Sequence, residues 1–468
     1  MSAEERYRVV DAERLDGVVR AAVAAGLVGG EQVAAGFVDV DGLLRSVADL
    51  RAGFRAAGAG GGGAGGGAGG GRAGEVLHTF AAKACALVPV LRLLAEAGLG
   101  CEVASAGELA LARAAGFPAE RIVLDSPAKT TAELAQALAL GVAVNADNLG
   151  EVERIAALLP TAPPVSVLGL RINPQVGAGS IDAMSTASRH SKFGEPLGDP
   201  SARERIADAF ARYPWLTRLH VHVGSQGCPL ELIAAGVRAV YELAEDVNER
   251  AGRRQVTSLD LGGGLTVNFD SDEIRPTHHA YAEHLRAAVP GLFDGRYALV
   301  TEFGRSLVAK NGFTVAVAEY TKQVGGRSVA LTHAGAHLAT RTVFMPQAWP
   351  LRISVHRPDG TRREEPPVVQ DVAGPLCFAG DVVAHERPLP PIRPGDLVVL
   401  HDTGGYYASA PWGYNSVARP AVHGFSTRDG AVRFATVRDR QTALEIVAES
   451  GGAHAGSLLG LGTEATER

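Results

Sequence analysis

From Val76 to Gly304 the chain alternates apolar, strand-like runs with amphipathic, helix-like stretches, and few architectures accept that alternation. The strand-like runs are VLHTFAA (76–82), CEVAS (101–105), IVLD (122–125), VAVN (142–145), VSVLGLRIN (165–173), TRLHVHVG (217–224), VTSLDLGG (256–263) and ALVTEFG (298–304). Between them lie helix-like stretches such as Val90–Ala97, Ala106–Ala115, Thr131–Leu140, Leu149–Leu159 and Leu230–Arg250. Strand and helix taking turns implies a parallel sheet, and eight such strands fit a (β/α)8 TIM-type barrel better than an open sheet. After Gly304 the texture changes to short β-like segments broken by Gly, Pro and charged turns, from FTVAVAEYTKQV to VRFATVRDRQTALEIVAE. That pattern predicts an antiparallel β domain following the barrel. The expected division is 1–45 as an N-terminal segment packing on the β domain, 46–305 as the barrel and 306–468 as the C-terminal β domain.

Composition excludes several function classes. A formal net charge of −6 with a pI near 6.2 argues against a nucleic-acid or membrane-surface binder. Four cysteines (Cys85, Cys101, Cys228 and Cys377) have no CxxC or CxxH spacing, so neither a disulfide framework nor a metal site is expected. The stretch MSAEERYRVVDAERLDG has no apolar run of the export type, and no segment has the length of a membrane span; a cytoplasmic location is expected. Eleven glycines among the fourteen residues Gly58–Gly71 lack the GK[ST] of a phosphate loop. They read as flexible coil entering the first strand, at the face opposite the chemistry.

In such a barrel the chemistry sits where strands end. Lys83 ends the first strand inside an otherwise apolar run. Two readings fit it: a lysine snorkelling to water, or an amine held neutral by a lowered pKa so that it can attack a carbonyl. The remaining strand ends supply Glu102, Arg171, His222 with Ser225, Gly262–Gly264, and Glu302 with Gly304 and Arg305. Singly, each has an ordinary structural explanation: a core histidine, a turn, an ion pair. Converging on one rim, they describe a nucleophilic amine, amides and an arginine for a phosphate, a stackable ring and a carboxylate.

The motifs HTFAAKA, CEVASAGEL, GLRINP, RHSKFG, HVHVGSQ, LDLGGG, EFGR, GPLCFAGD, GDLVVLHDTGGYY and YNSVARP occur in order over nearly the whole chain. In these the sequence resembles the fold-type III pyridoxal-phosphate decarboxylases of the diaminopimelate, ornithine and arginine decarboxylase family. The resemblance implies pyridoxal 5'-phosphate held by Lys83 as an imine, with Glu102 near that imine and His222 stacked on the ring. It implies Ser225, Gly262, Gly263, Gly264, Gly304, Arg305 and Tyr406 around the phosphate, with Arg171 also lining the cofactor, and Glu302 at the pyridine nitrogen. Cys377 would protonate the decarboxylated carbon from a second subunit, which implies a homodimer with shared active sites. Arg341, Phe378 and Asp381 are the candidates for substrate binding. Phe378 stands where decarboxylases of basic substrates carry an acid that grips a distal ammonium. The expected activity is therefore α-decarboxylation of an amino acid, or of a carrier-tethered aminoacyl group, lacking a free distal ammonium. A racemase on the same cofactor is the rival enzyme. A non-catalytic homologue is disfavoured because Lys83, His222, Glu302 and Arg305 are all kept.

Overall fold

The computed structural model describes residues 12–59, 73–159 and 164–461, so most of the polyglycine tract lies outside the described residues. The chain divides into two compact units. One comprises 1–15, 39–312 and 402–409; the other comprises 16–38, 313–401 and 410–468. Against the expected division, the short segment 402–409 joins the barrel unit, and within the N-terminal region only 16–38 joins the β unit.

The first unit is a closed parallel barrel. Its strands are β1 (Val76–Ala81), β2 (Gly100–Val103), β3 (Ile122–Asp125), β4 (Ala143–Ala146), β5 (Leu168–Asn173), β6 (Leu216–His220), β7 (Ser258–Asp260) and β8 (Ala298–Phe303). Neighbours pair in sequence order, β8 returns to β1 (Glu302 beside Thr79), and β4 pairs with β5 through Val144 and Leu168. Several connecting helices start where the sequence offers a cap. The side chains of Ser105, Thr130, Asn148 and Thr277 each accept a hydrogen bond from a first-turn amide.

The barrel interior changes chemistry along its axis. Leu77, Val123, Ala143 and Val300 form an apolar cluster near the strand starts. A strand side chain returns to the same face every second residue. Two residues on from Val123, Ala143 and Val300 stand Asp125, Asn145 and Glu302, each buried. By the same period Arg218 is followed by His220 and Ser258 by Asp260, all buried as well. The strand starts thus supply a hydrophobic plug, and the strand ends supply polar groups over it.

The second unit is built on a sheet in the order Val382–Leu389, Val368–Ala373, Arg327–Thr332, Gly312–Val324, Ala34–Asp39, Ala421–Ser426, Arg433–Arg438. Leu397–Leu400 joins it off this path, between Gly312–Val324 and Ile353–His356. Most of these pairs are antiparallel, as expected, but Arg327–Thr332 and Val368–Ala373 run parallel. One segment read as β-like contains a helix: Ala443–Glu449 opens with a capping box between Thr442 and Glu445, and a further helix, Ala336–Phe344, follows the LTHAG turn.

The loop after β3 and the first turn of the helix after β4 (Leu149–Leu158) are tied together by a buried ion pair. Lys129 Nζ lies 2.7 Å from Glu151 Oε2, with side chains 1 % and 7 % exposed. Lys129 also donates to the Ser126 carbonyl, and Glu151 accepts from the Asp147 amide. Removing one partner of such a pair leaves an uncompensated buried charge, at about 3–5 kcal/mol. Glu151→Ala should therefore lower the unfolding free energy by about that amount in denaturant titration. A loss below about 1 kcal/mol would show that the lysine finds water instead.

Candidate active site

Lys83 lies in a short 3-10 turn, Ala82–Ala84, directly after β1. The turn is held by the segment 402–409 of the same unit. The Tyr406 amide donates to the Ala84 carbonyl at 2.7 Å, and Ser409 Oγ donates to the Lys83 carbonyl at 2.9 Å. Tyr406 adopts a left-handed backbone (φ 70°), and the Arg305 guanidinium lies 4.3 Å from the centre of its ring. The same turn therefore orients Lys83, Tyr406 and Arg305.

The ammonium of Lys83 is 2.6 Å from Glu102 Oε2, with the lysine side chain 40 % exposed and the glutamate fully buried. Of the two readings of Lys83, the structure without ligand favours the charged one. Burial pushes the Lys83 pKa down, but the Glu102 carboxylate, with Tyr406 and Glu302, outweighs it and raises it. Without ligand Lys83 is a paired cation, and it must give up this ion pair before its nitrogen can bond to carbon.

Glu102 shares the floor of the barrel mouth with Asp125, Asp260 and Glu302. Asp125 accepts from Arg171 Nη1 at 3.0 Å. Burial alone would raise its pKa; Arg171, His220, Lys129 and Lys83 together hold it below the usual carboxylate range. Phe193 covers the far side of the Arg171 guanidinium, 4.5 Å from ring centre to carbon. Asp260 accepts from Asn145 Nδ2 at 3.0 Å and from the Gly262 amide at 3.1 Å. Burial first, then Glu302, push it up to about 6. Glu302 is pushed up to about 7, by burial and then by Asp125.

Around this floor runs a cradle of backbone. A Cβ at Gly263 would come within 2.2 Å of the Glu302 carbonyl oxygen, and one at Gly264 within 2.1 Å of the Gly224 carbonyl. Gly264 also has a positive φ, 96°. Only glycine permits this approach of the β7 loop to the β6 and β8 ends. The Gly263 amide donates to His222 Nδ1 at 3.2 Å, and burial lowers the His222 pKa, leaving a neutral ring. Ser225 sits two residues after Val223, its amide donating to the Met184 carbonyl.

The barrel unit thus brings together Lys83, Glu102, Arg171, His222, Ser225, Gly262–Gly264, Glu302, Gly304, Arg305 and Tyr406. The candidates Arg341, Cys377, Phe378 and Asp381 belong to the second unit. There Asp381 is 3 % exposed, and its two oxygens accept from the Ala336 and Leu376 amides. Its carboxylate organises the turn that carries Cys377, which is exposed and whose amide donates to Asn415 Oδ1. Sequence reasoning missed Asp125, Arg218, His220 and Asp260. The signal was present: each is the polar member at an inward position of IVLD, TRLH or SLD.

These residues fit pyridoxal phosphate. Glu302 Oε1 is buried without a partner among the described residues, an acceptor suited to a ring N–H. The glycine cradle with Arg305 suits a phosphate.

Glu302 makes a pH prediction. The folded protein keeps a proton there that the unfolded chain loses above about pH 4.3. Stability from this group is therefore lost as pH rises from there to about 7. In the cofactor-free protein, Tm of Glu302→Gln minus Tm of the wild type should grow by about 2–4 °C from pH 5 to pH 8. A pH-independent difference would mean that Glu302 is ionised throughout.

Comparison with known proteins gives the family and its cofactor. The family model for the pyridoxal-dependent decarboxylase pyridoxal-binding domain matches residues 72–309. The diaminopimelate decarboxylase of Actinosynnema pretiosum subsp. auranticum is 34 % identical over 372 residues, covering 78 % of this chain and 81 % of the relative. That of Escherichia coli K12 is 32 % identical over 388 residues, covering 79 % and 87 %. A crystal structure of diaminopimelate decarboxylase superposes with a TM-score of 0.75 at 28 % identity, covering 95 % of this chain and 97 % of that one. The barrel, the lysine at the end of its first strand and the aligned length together make this chain a member of the pyridoxal-phosphate-dependent amino-acid decarboxylase family, a carboxy-lyase.

Proposed function

We propose that this enzyme decarboxylates an amino acid, or an amino-acid derivative, whose far end is neutral, apolar, acylated or tethered to a carrier, and that it does so as a cytoplasmic homodimer. The observation that carries the substrate class is the surroundings of Phe378. Its ring stacks on Phe344 (5.8 Å, 8° between planes) and meets Trp412 and Tyr414 edge-on at 5.2 and 5.9 Å. The nearest acid in sequence, Asp381, is occupied by two backbone amides. A substrate ammonium brought there would find rings and no free carboxylate. Leaving such a charge unpaired discriminates by orders of magnitude. The relatives are named for diaminopimelate, and one solved neighbour, from Helicobacter pylori, holds L-lysine; this chain's rings favour a different far end. Four cysteines free of disulfides support a reducing compartment.

In this reading Lys83 carries the cofactor on its Nζ, His222 lies on the ring face, and Glu302 holds a proton at the ring nitrogen. Ser225, Gly262–Gly264, Gly304, Arg305 and Tyr406 bind the phosphate, with Glu102 and Arg171 beside the reacting atoms. Bound there, pyridoxal phosphate supplies the sink for the electron pair left when the carbon–carboxylate bond breaks and carbon dioxide leaves. Cys377, brought by the second subunit, returns a proton to that carbon. Arg341, whose guanidinium lies 5.2 Å from the Trp349 ring centre, is the candidate for a substrate carboxylate.

A carbon-dioxide release screen over L- and D-amino acids and acylated derivatives, with added pyridoxal phosphate, tests the reading. Neutral or acylated substrates should exceed diaminopimelate, lysine and ornithine in kcat/KM by about tenfold or more, and Phe378→Glu should narrow that gap. Diaminopimelate as the best wild-type substrate would refute the substrate class. Scrambled stereochemistry without carbon dioxide would point to a racemase.

A further inference from the structure

His220 has no role in the reading above, yet it sits at the centre of the barrel floor. It is completely buried, and neither ring nitrogen has a hydrogen-bond partner among the described residues. Nδ1 faces Asp125 Oδ2 at 3.6 Å, and Nε2 faces Glu302 Oε2 at 3.5 Å. A buried imidazole poised between two carboxyls must commit its proton to one of them.

The surrounding charges say which. The groups that act on one another here are the carboxyls Glu102, Asp125, Asp260 and Glu302 and the permanent cations Lys83, Arg171 and Arg218. Lys129 also acts on Asp125 but is neutralised by its own ion pair with Glu151, so the four acids face three other cations and leave room for one more proton. Glu102 has Lys83, Asp125 has Arg171, and both oxygens of Asp260 accept N–H donors. Glu302 alone of the four has no such donor among the described residues, and it shares a hydrogen bond with Asp260, which requires a proton on one of the two. Burial pushes Glu102 up to about 8, but the Lys83 ammonium at 2.6 Å draws it back toward the ionised form, whereas Glu302 has no N–H donor in contact among the described residues, so we assign the proton to Glu302. Burial lowers the His220 pKa, so the ring itself is neutral.

We propose that His220 is a positioning residue that holds Glu302 by switching tautomer. In the cofactor-free protein its Nδ1–H points at Asp125, and its Nε2 accepts from protonated Glu302. With pyridoxal phosphate bound, the Glu302 proton would pass to the ring nitrogen, and His220 would give up its Nδ1 proton and take one on Nε2 by exchange with water, from which it donates to the ionised Glu302. Asp125 can release the N–H because Arg171 still neutralises it. Among the described residues Glu302 has no other N–H donor. The Nε2–Glu302 gap, slightly longer than a hydrogen bond, closes as the site fills, while the Nδ1–Asp125 contact opens. The inference rests on the reading that Glu302 faces the ring nitrogen.

The test is 15N NMR of labelled histidine, with the His220 signals assigned by their loss in His220→Gln, recorded at pH 7.5 before and after adding pyridoxal phosphate. The expected result is a neutral ring throughout, protonated on Nδ1 before and on Nε2 after. An unchanged tautomer, or an imidazolium in either state, overturns the proposal. Pyridoxal-phosphate titration of variants gives an independent readout. His220→Leu should weaken binding about tenfold or more, whereas His220→Gln, which keeps one donor and one acceptor, should stay within about threefold of the wild type. A leucine variant that folds and binds as tightly as the wild type overturns the proposal too, and if it does not fold, the tautomer measurement decides alone. Failure of the wild type to bind pyridoxal phosphate would refute the underlying reading, while the tautomer in the cofactor-free protein would still report on the Glu302–His220 contact.

Discussion

The ion pair between Lys83 and Glu102 governs the rest of the site. A lysine at the end of an apolar strand is tolerable only beside a countercharge, and Glu102 supplies one at 2.6 Å from the neighbouring strand. Glu102 then stands fully buried among Asp125, Asp260 and Glu302, and each of those carboxyls needs its own compensation. Arg171, Arg218, Asn145 and the glycine amides are the answer to that need. The barrel floor is a charge-balanced layer laid over a hydrophobic plug, and Glu302 Oε1 is one of its acceptors that no described residue fills.

Such a layer is unfavourable for stability and useful for chemistry. Buried ionisable groups raise or lower one another's proton affinities, and they do so where a reaction needs a fixed protonation state. The apolar layer beneath them and the capped helices outside provide the rigidity that keeps these groups in register. The glycines of the β7 loop let the backbone approach β6 and β8 closely enough to close the rim.

Much of this was legible in the sequence because the two periodicities of the barrel are strong. Alternation of strand and helix fixed the architecture, and the strand ends pointed to Lys83, Glu102, Arg171, His222 and Glu302. His220 and Asp260 escaped because each sits inside a strand-like run, where a polar residue reads as an interruption, and Asp125 because it ends so short a run, IVLD, with no further polar motif. Only the inward register, set by pairing with neighbouring strands, reveals them as one layer. The charge state of Lys83 stayed open between two readings for the same reason: its partner is nineteen residues away and adjacent only across β1 and β2. In the second unit, Ala443–Glu449 was missed although TALE carries a capping box, because its side chains are largely exposed and no apolar stripe marks the helix. Asp381 looked like a substrate ligand by position, and only its two backbone partners show it to be the organiser of a turn.

The central claim is that Lys83 is the residue to which the cofactor becomes attached. Reducing the pyridoxal-phosphate-loaded protein with borohydride, digesting it and locating the phosphopyridoxyl group by mass spectrometry tests this directly. The account predicts a single modified lysine, Lys83, in the peptide that begins after Arg72. Stoichiometric modification of any other lysine, with Lys83 untouched, would contradict it.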